Sequence, residues 1–502
     1  MNIHTVVLCG PGHRLEPITT RGDSGVSKCL LPVAVEPMLM HVIRWLKEAD
    51  ISSVTLAVDP ADYADVEDYA ETTGMKNMFH CFSMFQTEAS NVGDVIVDSL
   101  AGADHSADLM VLPCDFITDV RAVDLIDRFI RRSIDTMALT VWYESKFAAV
   151  SPFIPVHKEI VGARSEESRQ ILLDVQKNPL DPVVSPKAIE LPMTLLWKYA
   201  DPCLSTRLRH GCIALIARSA LSVGDTELPS PNSSYDYQSR TPSVVDLRFK
   251  VNSGGLLSAM GPSFYGYEAT GKPSIPMSTW RKHSWNAILR SLARNAWKSE
   301  LPGYQVDMYV VPPTNTFIRV NSIPSYLEAT RHLLRIKAAT AATTASFVPS
   351  AGSSAGASQV PSHTGVSADS IADPSVIIEE KTTLKRSMIA SNVSIGKRCR
   401  LIGCIVLQGA TIEDGCHLES CVVGPMVTIG QKSRLTSCTI EGGFNIAPGT
   451  EAKNEVMQKF TNAMLDYHSE SSSDDEDDEN ESEWEVSEGE DLDDDDGLFD
   501  RS

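Results

Sequence analysis

A strict 17-residue period near the carboxyl end constrains this chain more than any other feature. Ile378, Ile395, Ile412, Ile429 and Ile446 recur at that interval, as do Leu384, Leu401, Leu418 and Leu435, and Ile389, Val406, Val423 and Ile440. Within each repeat the apolar positions are spaced 6, 5 and 6 residues apart. Such spacing describes a three-sided coil in which every side is a short strand with one side chain pointing inward. One coil cannot bury its apolar row alone, so the coils stack into a parallel β-helix of the hexapeptide type. Register alone does not give the handedness. Cys404, Cys421 and Cys438 share the period, as do Cys399 and Cys416. A free cysteine behaves as a small buried hydrophobe, which favours stacked interior or corner positions over a metal site.

The rest of the chain divides by composition. At 502 residues it is too long for one ordinary core, so two or three domains are expected. Residues 338–370, "AATAATTASFVPSAGSSAGASQVPSHTGVSADS", are small and polar and predict a flexible linker between residues 1–337 and the coil of 371–453. Residues 454–502 predict a disordered acidic tail. The net charge is −22, yet the stretch from Glu470 holds 18 acidic residues and one Arg, leaving only −5 for everything before it. Neither piece offers a basic face, which argues against direct nucleic-acid binding. No apolar run is long enough for a membrane span, and the opening "MNIHTVVLCGPG" lacks the basic region of a secretory signal. Eleven cysteines without a C-x-x-C pair argue against a disulfide framework or a zinc ribbon and point to the cytosol.

Residues 1–337 alternate between strand and helix patterns. "HTVVLCG" predicts a buried strand entering a Gly loop, "PMLMHVIRWLKEAD" a helix, "SVTLAVD" a strand, "VGDVIVDSLAG" a helix, and "ADLMVLPCDFITDV" a strand ending at an acidic turn. That order implies a largely parallel sheet covered by helices, with ligands beyond the carboxyl ends of its strands. "TMALTVWYE", "ILLDVQ" and "GCIALIARSAL" continue the sheet. The Ser-, Pro- and Gly-rich segment at about 224–283 predicts a flexible insertion, and "SWNAILRSLARNAW" a helix after it.

The loop "VLCGPGHRLEP" carries glycines that let a backbone approach phosphate, followed by basic side chains. Together, "LCGPGHRLEPIT", "SKCLLPVAVEPMLMHVIRWLKEADI" and "LPCDFITD" resemble the nucleotide-sugar pyrophosphorylase family, whose glycine loop is followed by P-K-P-L-L-P-V and a later G-D strand end. The resemblance spans most of residues 1–335. It implies an α/β fold: a Rossmann-like nucleotidyltransferase domain followed by a left-handed parallel β-helix. Carried over by motif, nucleotide binding falls on Gly10, Gly12, Arg14 and Lys28, and magnesium on Asp115. The departures are specific. The loop is one residue shorter, Pro11 removes an N–H, and His13 replaces a Thr. Ser27 and Cys29 replace the prolines around Lys28, and "IRVNSIPSYLEA" puts Asn321 where a second metal-binding aspartate is usual. These changes predict a vestigial site without catalytic or metal-binding residues and with no cofactor beyond residual GTP or nucleotide-sugar binding.

"FITD", "ILLDV", the coil "SNVSIGKRCRLIGCIVLQGATI" and the terminal "DDDDGLF" are similar to the gamma-type subunits of eukaryotic translation initiation factor 2B, a branch of that superfamily. This resemblance implies a non-catalytic subunit of a guanine-nucleotide exchange factor. It would pair with the epsilon subunit, join the alpha, beta and delta subunits in a heterodecamer, and contact initiation factor 2 through its GTPase subunit. The alternative is an active pyrophosphorylase, for example of the mannose-1-phosphate guanylyltransferase type; a further alternative is a β-helix acyltransferase or scaffold. In the tail, Ser471, Ser472, Ser473 and Ser487 each precede an acidic residue by three positions and are candidate phosphorylation sites for an acidophilic kinase.

Overall fold

A computed structural model describes residues 3–459 except 20–24, 90, 101–106, 134, 146–152, 162–167, 178–190, 219–220, 223–265, 268–272, 277–279, 282, 299–304, 346–364 and 368. Most of the expected insertion, residues 346–364 and 368 of the expected linker, and the acidic tail from residue 460 with its four candidate phosphorylation serines therefore lie outside the described residues.

The amino-terminal half is built on a ten-stranded mixed sheet. Ile3–Cys9, the third strand from one edge, pairs in parallel with Ser53–Val58 on one side and Asp108–Pro113 on the other. Cys81–Gln86 adds a parallel edge strand beyond Ser53–Val58. On the other flank, Leu208–Ile216 lies antiparallel to both Asp108–Pro113 and Thr136–Glu144, and parallel pairing returns only between Thr136–Glu144 and Gln305–Val310.

Alternation along Ile3–Cys9 serves both layers. Ile3, Val7 and Cys9 face the helices Met38–Glu48 and Ala122–Ile130, while Val6 and Leu8 face Val92–Leu100 and Trp285–Lys298. Helix Met38–Glu48 buries Met38, Leu39, Val42, Ile43, Trp45 and Leu46, the stripe that a 3.6-residue period lays on one face. Each such side chain removed from water contributes about 1.5–3 kcal/mol. The chain leaves this first strand to one side and returns to its other side, so the carboxyl end of Ile3–Cys9 is a topological switch point, the kind of place where ligands bind.

The carboxyl-terminal repeat is a left-handed parallel β-helix. Three parallel sheets of six, five and five short strands form its sides. The rows predicted from the 17-residue period are its interior: Leu384 pairs with Leu401, Leu401 with Leu418 and Leu418 with Leu435. Every corner needs a left-handed residue. Lys381, Arg398, Gly415, Lys432 and Gly449 share one corner and Arg386, Gly403, Ser420, Ser437 and Asn454 another, all at positive φ.

The helix Ile323–Ala345 joins the halves and continues past residue 337. Tyr326 and Ala329 from this helix, Leu31 and Val33 from the amino-terminal half, and Met388, Ile405 and Val422 from the β-helix form one apolar cluster. Arg331 Nη2 donates to Ser420 Oγ at 3.1 Å and Lys337 Nζ to the Ala34 carbonyl at 3.0 Å. Among the described residues, no helix is long and apolar enough to cross a membrane.

Candidate nucleotide site at the switch point

Gly10 and Gly12 follow the strand Ile3–Cys9 directly. Gly12 has φ 89°, a left-handed conformation, and starts the short turn His13–Leu15. A Cβ at Gly12 would lie 2.9 Å from the Lys28 Cβ and 3.1 Å from Thr19 Cγ2, so a larger residue would push the loop off the lysine. Thr19 Oγ1 donates to the Gly12 carbonyl at 2.7 Å and fixes the loop from below. Arg14 is half-buried in the same turn and His13 is exposed beside Glu16.

Lys28 opens the turn Lys28–Leu30 and is buried, with its side chain 5% exposed. Its Nζ lies 2.9 Å from Asp115 Oδ2. Asp115 follows Asp108–Pro113, the strand next to the glycine loop, and the Cys114 N–H donates to the Leu8 carbonyl at 3.0 Å. The two prolines and the glycine expected near these positions are replaced in part by Cys29 and Cys114. Both are buried, and Cys9 hydrogen-bonds with each; those contacts and burial push the Cys9 thiol well above its usual range.

Sequence reading missed Arg319. The strand Phe317–Arg319 runs antiparallel to Phe116–Thr118, with Arg319 opposite Phe116, and the Val320 N–H donates to the Asp115 carbonyl at 2.6 Å. Arg319 Nε reaches Asp115 Oδ1 at 2.7 Å and Nη2 reaches Oδ2 at 3.0 Å, a bidentate fork. Burial opposes ionisation of Asp115, but Arg319 and Lys28 outweigh it and hold the carboxyl well below its usual range. Asn321 stands half-buried two residues beyond Arg319 on the same segment. The structure thus gathers Gly12, Lys28 and Asp115 and sets Asn321 two residues past the end of the strand that flanks Asp115. The signal for Arg319 was present in "IRVNSIPSY", but only strand register shows its partner.

The wall beyond Arg319 is aromatic and buried. Tyr143 packs on Phe317 at 4.8 Å between ring centres, and burial pushes its hydroxyl up to about 12. His210 accepts hydrogen bonds at Nδ1 from Trp285 Nε1 at 2.9 Å and from the Cys212 N–H at 3.0 Å, which places its proton on Nε2. Burial, reinforced by Arg319, pushes the ring down to about 3.

Magnesium, which the fold family implies, does not fit these residues. It needs oxygen ligands at about 2.1 Å in near-octahedral array. Both Asp115 oxygens already accept from cationic donors, and the expected second carboxylate is the amide of Asn321. Among the described residues, no group of three or more His, Cys, Asp or Glu is arranged to hold a metal ion.

The strand order, the glycine loop at the switch point and the β-helix behind it define a nucleotidyltransferase-type α/β domain joined to a parallel β-helix. Residues 4–149 match the family model of the nucleotidyl transferases, and residues 366–450 match the model described as the GMPPB C-terminal domain, that of GDP-mannose pyrophosphorylase B. These matches overturn the assignment to gamma-type subunits of initiation factor 2B. With it fall the non-catalytic role, guanine-nucleotide exchange on initiation factor 2, the place in translation initiation, and the partnership with epsilon, alpha, beta and delta subunits in a heterodecamer. The physical reason lies in what the quoted residues do. Phe116 and Ile117 of "FITD", the buried strand "ILLDV" and the apolar coil residues build the cores of the two halves, so they report the shared architecture rather than a subunit. The acidic end lies outside the described residues.

Proposed function

We propose that the chain is a nucleotide-sugar pyrophosphorylase of the GDP-mannose type. In that reaction a phosphate oxygen of a sugar 1-phosphate attacks the α-phosphorus of a nucleoside triphosphate, and pyrophosphate leaves. The observation that carries this reading is the convergence of two buried cations, Lys28 and Arg319, on one buried carboxylate beside the Gly12 turn. The trio has a net positive charge at the carboxyl end of the parallel strands, where a polyphosphate is best stabilised. On this reading Gly10 and Gly12 let the loop approach the phosphates, and Arg14 and Lys28 stabilise charge on them. Asp115 positions Lys28, and Asn321 offers an uncharged donor and acceptor. The match to the GMPPB C-terminal domain supports GTP and mannose 1-phosphate as the substrates. Eleven free cysteines support the cytosol as the compartment.

The test is release of pyrophosphate from GTP in the presence of mannose 1-phosphate. Turnover is expected, and Lys28→Ala should lower it by roughly 100-fold or more. Absence of turnover with every nucleoside triphosphate and sugar 1-phosphate pair tried, or equal turnover in the variant, would reject the reading.

A further inference from the structure

The charge arrangement at Asp115 reaches beyond that reading, and rests on it only for the identity of the ligand. We propose that Lys28 and Arg319 take the place of a divalent cation, so that this site binds a nucleoside diphosphate sugar without magnesium. Three observations carry the inference. First, Asp115 is 1% exposed and each oxygen is occupied: Oδ1 by Arg319 Nε at 2.7 Å, Oδ2 by Arg319 Nη2 at 3.0 Å and Lys28 Nζ at 2.9 Å. A dication would have to enter between two fixed positive charges.

Second, neither cation is free to swing aside. The Lys28 stem is held against the Gly12 turn, and Arg319 is 12% exposed on a strand pinned to Asp115 by the Val320 N–H. Third, the position two residues beyond Arg319, where the resemblance expects a second metal-binding carboxylate, holds Asn321, whose amide contributes no negative charge. A guanidinium and an ammonium bind phosphate oxygens through oriented N–H donors, the task a metal ion otherwise performs by coordination.

Two measurements on the whole chain decide this. In the first, Mn2+ alone is titrated by electron paramagnetic resonance into the wild type and into Asp115→Asn. Superimposable curves are expected, whereas a site present in the wild type and lost in the variant overturns the proposal. Should Asp115→Asn not fold, Arg319→Gln combined with Asn321→Asp replaces it. That double variant should gain a Mn2+ site at least roughly tenfold tighter than any in the wild type; a folded double variant without the gain overturns the proposal.

In the second measurement, wild-type affinity for GDP-mannose is compared in Mg2+ and in EDTA. A change of less than roughly twofold is expected, and affinity that disappears in EDTA overturns the proposal. Absence of binding in both buffers strikes the pyrophosphorylase reading instead, and the Mn2+ comparison then decides the metal question alone.

Discussion

At His210, two donors at Nδ1 and a buried Nε2 with no partner among the described residues fix the ring as neutral. In the unfolded chain the same ring ionises at about 6.5. Between that value and the folded value of about 3, the unfolded state binds a proton that the native state refuses. Stability from His210 is therefore complete above about pH 6.5 and is lost as pH falls, at up to about 1.4 kcal/mol per pH unit. Denaturant unfolding at a series of pH values should show a steeper acid decline in the wild type than in His210→Asn. Parallel curves would refute this, since the lowered His4 and His41 titrate in both proteins and cancel. Asp115 follows the carboxylate rule: its contribution is present above about pH 4 and is lost only under more acid conditions. Of these residues, Gly12, Lys28 and Asp115 were legible in the sequence, because a strand, a glycine turn and a lysine form local patterns. Arg319 was not, because its partner lies 204 residues away and only strand register brings them together.

Within the coil, the cysteines take positions that hydroxyl residues fill in neighbouring turns. Thr382, Cys399, Cys416 and Ser433 each donate to a carbonyl fourteen residues onward, at Gly396, Glu413, Gly430 and Ala447. In a second column Ser387, Cys404, Cys421 and Cys438 each donate to the carbonyl two residues back. Cysteine here is a corner donor as well as a filler. Cys399→Ser should therefore change stability by less than about 1 kcal/mol, while Cys399→Val, which removes the donor, should cost about 1–3 kcal/mol. Denaturant midpoints of the two variants measure the difference, and equal losses would refute the donor role. The inner rows were legible because a 17-residue period survives any ambiguity about single strands. The outward row of Met388, Ile405 and Val422 was missed. Its signal is a pair of adjacent apolar residues on one side of the prism, which reads as a second buried face only when something covers it.

What covers that row is the amino-terminal half, so the molecule is one body joined through an apolar cluster. Tyr326 lies at its centre, fully buried, with its hydroxyl donating to the Pro32 carbonyl at 2.7 Å. Tyr326→Phe should cost about 1 kcal/mol and keep a single calorimetric unfolding transition. Tyr326→Ala should cost about 3–5 kcal/mol and split unfolding into two transitions, one for each half. A single transition in Tyr326→Ala would show that the halves communicate by another route. The α/β order and the repeat were both readable without the structure, since each follows from a local period. Their union was not, because the residues forming it come from four separate stretches and follow no shared period. The covered row also gives the prism a direction of growth. The apolar run breaks at Thr439, and the next residue of the row, Val456, is 61% exposed. A duplicated turn added beyond Ile440 would lengthen the rod and leave the seam intact. The same duplication placed between Met388 and Val422 would split the row and carry part of it one rung away from the helix it packs on.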